Sequence, residues 1–300
     1  MKKRFAFAAL AFLAAACGSD DDRAAVAAEV PTPGSESVVT PADPATTTPP
    51  AITGPVTFED AEGLYREKRY AEAMEAFTVY AETKPENPWG FFMLGLSAWK
   101  SGDHQGAETA FRHAIEKDSA HIKSRLNLGR VLMETNRHAE ALELFQSASD
   151  LDSTSSEAFR LQGRAYDGLG RVVDAIWAFK RAIVIDGRDV WALNNLGTTL
   201  IREGRYEDAL GPLARAVELE PRVATFQNNL GMALERTGYY KTAAEAYRTA
   251  VGIDSSYAKP AVSLARVEQL TEADTLPPLD LTDVVKKFLE LVETWRAEEA

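Results

Sequence analysis

Alanine recurs at intervals of 34 residues, at Ala73, Ala107, Ala141, Ala175, Ala209 and Ala243, with no insertion between any two of them. A spacing held constant through six units admits an array of equal-length modules, each packed mainly on its neighbours, with the core drawn out along the array. Other positions keep the same phase. Twelve residues before each alanine stands a small residue: Ala61, Gly95, Gly129, Gly163, Gly197 and Gly231, with Ala265 opening a seventh unit. Four residues after it stands a bulky one: Phe77, Phe111, Phe145, Phe179, Leu213 and Tyr247. Seven residues after it the chain reads Tyr80, Ala114, Ala148, Ala182, Ala216 and Ala250, and five before it Lys68, Gly102, Asn136, Gly170, Gly204 and Gly238.

Each place has a physical reason. Small residues let two helix axes approach where a larger side chain would hold them apart, and the bulky residue fills the space left between them. The Gly or Asn stands where a first helix must stop, because these residues tolerate the left-handed conformation. Pro85 and Pro221 mark ends of second helices, which proline cannot continue; Asp118-Ser119, Asp152-Ser153 and Asp186-Gly187 mark others. The unit is therefore helix, tight turn, helix, short loop.

Period, glycine, alanine and aromatic positions together resemble the tetratricopeptide-repeat family. The resemblance implies an all-α, right-handed α-solenoid of six helix pairs near 54–87, 88–121, 122–155, 156–189, 190–223 and 224–257, with a capping helix at 258–270. Repeat 1 departs most, with Asp60 where leucine and Tyr80 where alanine is expected; a terminal repeat has one face in solvent. After Leu276-Pro277-Pro278-Leu279 breaks the pattern, a further helix within 276–300 is expected, capped by Thr282 and running to about Ala297. Its apolar face is Val285, Phe288, Leu289, Val292 and Trp295. Shielding the last apolar face of the array is the first reading of this helix; lying in the groove or docking a partner is the alternative.

The N-terminus reads as an export signal. Lys2, Lys3 and Arg4 precede an apolar run from Phe5 to Ala16, shorter than the ~20 residues of a membrane span. Leu13-Ala14-Ala15-Ala16-Cys17-Gly18-Ser19 resembles a bacterial lipoprotein signal. That resemblance implies a signal peptide at 1–16, cleavage before Cys17, lipidation of Cys17 and, with Gly18 next, a periplasm-facing outer-membrane position. The alternative is an ordinary signal peptide followed by a chance cysteine. Cys17 is the single cysteine of the sequence, so no internal disulfide forms. Residues 17–53 then form a tether: Asp20, Asp21 and Asp22 cluster, and Pro31, Pro33, Pro41, Pro44, Pro49 and Pro50 suppress regular structure. As a flexible coil it would span ~35 Å.

The net charge is −12 for the sequence and −15 for residues 17–300. Such acidity disfavours nucleic acid, whose binding needs a basic surface. No nucleophile motif or Gly-rich phosphate loop appears, and no cofactor or metal is expected. Of the histidines, His104 and His138 stand where other repeats carry Tyr70, Tyr206 and Tyr240 and read as substitutes for an inter-helix aromatic.

What remains is a binding surface. By the resemblance, the second, fifth, ninth, twelfth and thirteenth places of each first helix line the groove. Repeat 2 brings Trp89, Phe92, Leu96 and Trp99; repeat 3 Lys123, Leu126, Arg130 and Met133; repeat 4 Glu157, Arg160, Arg164 and Asp167. Repeat 5 brings Trp191, Asn194, Thr198, Ile201 and Arg202, and repeat 6 Asn228, Met232, Glu235 and Arg236. An aromatic anchor (Trp89, Phe92, Leu96, Trp99) beside a stripe of Arg130, Arg160, Arg164, Asn194 and Asn228 suits an extended peptide with an acidic group. The alternatives are aromatics covered by neighbouring helices and arginines paired to Glu157 and Asp167. The implied protein is a lipid-anchored adaptor, not an enzyme, that binds an extended or helical segment of an envelope protein and supports assembly of a complex. Six-repeat lipoproteins of type IV pilus and secretin systems are one similar group; recruiters of cell-wall hydrolases are another. An enzyme with a cryptic groove site is the reading from a different class.

Overall fold

In the computed structural model, the chain is described for residues 56–273 and 276–299. The leader, Cys17 and the expected tether lie outside the described residues. Among the described residues, fourteen helices form six consecutive pairs and two additional helices. The pairs are α1 (Phe58–Arg66) with α2 (Tyr70–Thr83), α3 (Pro88–Lys100) with α4 (His104–Lys117), and α5 (Ile122–Glu134) with α6 (His138–Leu151). They continue as α7 (Ser156–Gly168) with α8 (Val172–Ile185), α9 (Val190–Arg202) with α10 (Tyr206–Leu219), and α11 (Ala224–Arg236) with α12 (Tyr240–Ile253). Then come α13 (Ala258–Val267) and α14 (Leu281–Glu299). The architecture is an all-α solenoid.

Within a pair, the small residue of the first helix meets the bulky residue of the second. A methyl group placed on Gly95 would stand 2.6 Å from the Phe111 ring, and one on Gly231 would stand 2.7 Å from Tyr247. Phe77, Phe111, Phe145, Phe179, Leu213 and Tyr247 are all fully buried, as are the six phased alanines. Each such large side chain contributes roughly 1.5–3 kcal/mol by its burial, and in the five pairs built on glycine the absent Cβ is what admits it.

The tight turns share one geometry. Lys68, Gly102, Asn136, Gly170, Gly204 and Gly238 all have positive φ. The next residue returns its N–H to a carbonyl five residues back, as in Asp103 to Ala98 (2.8 Å) and Arg205 to Leu200 (2.9 Å). This closes the first helix and starts the second. The two departures in repeat 1 acquire reasons. Asp60 and Thr57 form a capping box, with the Asp60 N–H on Thr57 Oγ1 at 3.1 Å and the Thr57 N–H on Asp60 Oδ2 at 3.3 Å. Tyr80 reaches into the space left by Gly90 and accepts a hydrogen bond from Asn87 Nδ2 at 2.9 Å.

Successive first helices approach one another within 8 Å between Cα atoms, whereas no two second helices do. First helices therefore form an inner row and second helices an outer row with furrows between them.

The terminal helix departs from expectation. Its N-terminal cap is Asp280, whose carboxylate accepts the Thr282 N–H at 2.8 Å and whose carbonyl accepts the Val284 N–H at 3.0 Å; Thr282 lies within the helix. Nor does α14 shield the end of the array or enter the inner row. It lies in the outer furrow between α8 and α10. Val285, Phe288 and Val292 are buried there, and a methyl on Gly211 would come within 2.9 Å of Phe288. Lys180 Nζ stands 4.5 Å from the Trp295 ring centre, and Arg296 Nε donates to the Val184 carbonyl at 3.1 Å. The furrow is available because α8 and α10 do not touch. The end of α13 stays open: Val262 is 66% exposed, and Ala265 is exposed where its counterparts are covered.

Gly197→Leu is expected to destabilise the protein by about 1–3 kcal/mol or more, since Leu213 occupies the space the new side chain needs. Urea unfolding with an unchanged midpoint would sink the interlock argument. Phe288→Ala is expected to cost about 3–5 kcal/mol as a large-to-small change in a buried seat. A variant unfolding at the wild-type denaturant concentration would mean that α14 is not held in the furrow.

Candidate inner-row binding face

The loops before the first helices place the face. Asn87 caps α3, its Oδ1 accepting the Trp89 N–H at 3.0 Å, and Pro88 starts the helix. Trp89 is thereby held 43% exposed on the inner row. It stands edge-on to Phe92 with ring centres 5.5 Å apart and to His121 at 4.6 Å, with Lys123 Nζ 5.2 Å from its ring. Phe92 itself is buried against Phe111. Leu96 is partly buried. Trp99, also partly buried, donates its indole N–H to Glu134 at 2.7 Å, and the same carboxylate oxygen lies 3.1 Å from His104 Nε2.

His121 was not singled out by the sequence pattern. It occupies the 34-residue equivalent of Asn87, Ser155 and Asp189, and it does the same work: Nδ1 accepts the Ser124 N–H at 3.2 Å and lies 2.7 Å from Ser124 Oγ. The grid place of the caps was the signal that could have found it. With Nδ1 an acceptor, the ring proton sits on Nε2, which is buried without a partner. Burial, then the neighbouring positive charges of Lys123 and Arg125, hold its pKa below the ordinary imidazole value against the opposing pull of Asp118.

The basic stripe divides. The Arg130 guanidinium binds Asn127 Oδ1 at 3.1 Å and Glu157 of the next repeat. Arg160 Nε donates to Asp189 at 2.9 Å; that buried carboxylate also caps α9 by accepting the Ala192 N–H at 3.0 Å. Asp167 accepts from Thr199 at 2.9 Å and pairs with Arg202 at 2.6 Å. Its carboxyl is pushed up by burial, although the Arg202 charge opposes this. Arg164 makes neither a hydrogen bond nor an ion pair among the described residues.

Asn194 and Asn228 are only 5% and 3% exposed. Asn229 Nδ2 donates to Asn194 Oδ1 at 2.8 Å, and Asn228 Nδ2 donates to Asn229 Oδ1 at 3.2 Å, so these amides join neighbouring first helices. The fifth place is buried at Phe92, Leu126, Asn194 and Asn228 alike. The open part of the face is therefore narrower than the sequence reading drew it. It holds Trp89 at one end and the Arg164 stretch of α7 towards the middle.

A second concavity, of about 460 Å³, lies on the outer row between α2 and α4, floored by Phe91, Leu94 and Ala98 of α3. Three repeats on, its place is the one α14 fills: Thr78 and Thr109 correspond to Lys180 and Gly211. Among the described residues, no helix is long and apolar enough to cross a membrane.

A family model described as tetratricopeptide repeat matches residues 92–156 and 194–258. Among solved structures, PilF of Pseudomonas aeruginosa superposes with a TM-score of 0.61 at 16% identity, over 69% of this chain and 95% of that one. The Cut9–Hcn1 hetero-tetramer of APC/C gives 0.58 at 16%, over 77% and 48% of the two chains. MamA 41-end from Desulfovibrio magneticus RS-1 gives 0.51 at 22%, over 54% and 92%. At these identities the likeness is one of fold. No curated protein sequence matches the chain.

His121 links the face to pH. Its folded pKa is depressed, so below about pH 6.5 the unfolded chain binds a proton that the folded chain resists. Stability present at neutral pH is therefore lost as the pH falls from the unfolded value towards the lower folded one. His121→Asn keeps a capping acceptor and removes the titration. Its melting temperature is expected to fall less than the wild type's between pH 7.5 and 5.5; equal slopes in thermal unfolding would exclude His121 as the cause.

Proposed function

We propose that this chain, in which residues 92–156 and 194–258 match the tetratricopeptide-repeat model, is a membrane-anchored adaptor whose inner row binds a segment of another envelope protein. The observation that carries the binding face is Trp89, a large aromatic left 43% exposed on a row of first helices, beside Lys123 and over a rigid base of Phe92 and His121. Exposed aromatics on a rigid scaffold are typical anchors of protein interfaces. Anchoring rests on the sequence: the Ala14-Ala15-Ala16-Cys17 run resembles a lipoprotein signal, and a proline-rich stretch follows it. Several acyl chains hold a protein stably where one gives marginal attachment. The bound protein is a component of an assembling complex, of the pilus or secretin type. That choice rests on the resemblance of a six-repeat chain behind a lipoprotein-type leader to the lipoproteins of those systems.

A photo-crosslinking residue at position 89, compared with one at the exposed outer position 143, tests the face in cells. The expected outcome is one envelope protein joined from position 89 and absent from position 143. Equal products from both positions, or none from 89, would overturn the reading. In the same cells Cys17→Ser is expected to leave the membrane fraction or persist as precursor; unchanged fractionation would remove the lipid anchor.

A further inference from the structure

The furrows of the outer row recur every 34 residues, and the first of them is left open. Its floor is Phe91 and Leu94 of α3. Leu94 is half-buried, whereas its counterparts Leu128, Gln162, Leu196 and Leu230 are all buried. The later furrows close by different means at equivalent places. Between α4 and α6 the counterpart of Phe91 is Arg125, whose Nε donates to Ser147 Oγ at 3.0 Å. Between α6 and α8 it is Phe159, covered by Trp177 with ring centres 6.0 Å apart and by Arg181 at 5.6 Å. Between α8 and α10 the place of Trp177 falls on Gly211, and Phe288 of α14 fills it. Between α10 and α12 it is Gln227, whose Nε2 donates to the Pro221 carbonyl at 3.0 Å.

In the first furrow the place of Trp177 and Gly211 falls on Thr109, which offers no ring. Phe91 leans on His113, with ring centres 5.4 Å apart, and the remaining floor opens into the concavity of about 460 Å³. That volume lies within the ~300–1,000 Å³ of ligand sites. Two other furrows therefore show what this one takes: an aromatic side chain, supplied by the wall in one case and by a separate helix in the other.

We propose that the furrow between α2 and α4 docks an amphipathic helix of another protein, which sets an aromatic residue at Thr109 and a basic residue two turns further on at Glu82. The register comes from α14. Phe288 stands at Gly211, and eight residues later Arg296 Nε donates to the Val184 carbonyl at 3.1 Å. Three repeats back, Val184 becomes Glu82 and Lys180 becomes Thr78, both exposed. The helix α2 carries Glu72, Glu75 and Glu82 and no Lys or Arg, whereas α8 carries Lys180 and Arg181. A helix shaped like α14 fits both furrows, but the charge it meets has opposite sign. The net acidic α14 suits Lys180; the first furrow suits Lys or Arg. That difference selects a separate partner over the α14 of a second copy. Burial of the ring supplies affinity, as in other helix-in-groove complexes. The site lies on the outer row and does not depend on the inner one.

The test uses the full chain and fluorescein-labelled helical peptides of 19 residues, the length of α14. The first has a Leu stripe on an Ala and Gln background, with Phe and Arg at the places Phe288 and Arg296 hold in α14. A second has Ala for the Phe, a third Glu for the Arg, and a fourth is the α14 sequence itself. Fluorescence anisotropy is expected to show the first binding roughly tenfold or more tighter than the second, and tighter than the third and fourth. The Phe advantage is expected to vanish in Thr109→Trp, which gives this furrow the cover that Trp177 gives its own. It is also expected to vanish in Thr78→Arg, which places in α2 the residue α4 carries as Arg112. Because each new residue already occurs at that place in another repeat, either variant suffices if the other unfolds. Glu143→Trp, the same change one furrow on, is expected to leave binding unchanged, and Glu82→Gln to abolish the preference for Arg over Glu. Equal binding of the Phe and Ala peptides, binding of none, or an advantage that survives Thr109→Trp and Thr78→Arg overturns the docking site. Binding of the α14 peptide as tight as that of the first overturns the separate basic partner and makes the occupant a second copy.

Discussion

The contact on which the molecule depends is the meeting of a residue without bulk and a residue with it inside each helix pair. Gly95 admits Phe111 and Gly231 admits Tyr247 because neither glycine has a Cβ to keep the ring out. Because every pair closes on the same contact at the same register, side chains 34 residues apart come to equivalent places on successive helices. The inner row follows from this. Its surface is a table of substitutions at fixed places: the second place alone offers Trp89, Lys123, Glu157 and Trp191 in succession. Repeats 2 to 6 each pair a helix of 13 residues with one of 14, so recognition lies in the side chains the repeats do not share.

Charge is managed between repeats. Arg130 reaches Glu157, Arg160 reaches Asp189 and Arg202 pairs back to Asp167, so neighbouring units are joined by ion pairs as well as by apolar contact. Where both partners are partly shielded, removing one would strand the other; Asp189 without Arg160 would be a buried carboxylate left without its ion pair, and such losses are severe. This makes Arg164 stand apart from its neighbours as a group whose removal strands nothing.

The array was readable because its rules are local and periodic. Left-handed backbone appears at all six turn places, including Lys68 and Asn136, which pay a conformational cost glycine avoids. Asp60 looked like a defect against the repeat pattern and is half of a capping box, legible in hindsight from Thr57 three residues before it. Two things were not legible. Ion partners come from the next repeat, 27 to 29 residues away, so the sequence drew Arg130, Arg160 and Arg164 as one stripe when only the last is open. The seat of α14 depends on tertiary contact. Its trace in the sequence was Gly211, a glycine inside a second helix where other repeats carry Thr109, Glu143, Trp177 and Glu245.

That seat has a mechanical consequence. A solenoid whose outer helices do not touch is a spring: it can open and close by small rotations at every junction, and its compliance is shared along its length. The helix wedged between α8 and α10 acts as a splint across one junction, tied at Gly211, Lys180 and the Val184 carbonyl. Bending is then left to the junctions that α14 does not cross, among them all those on the N-terminal side, the half that carries Trp89. A load on the chain would flex the aromatic end while the splinted repeats turn as a single body.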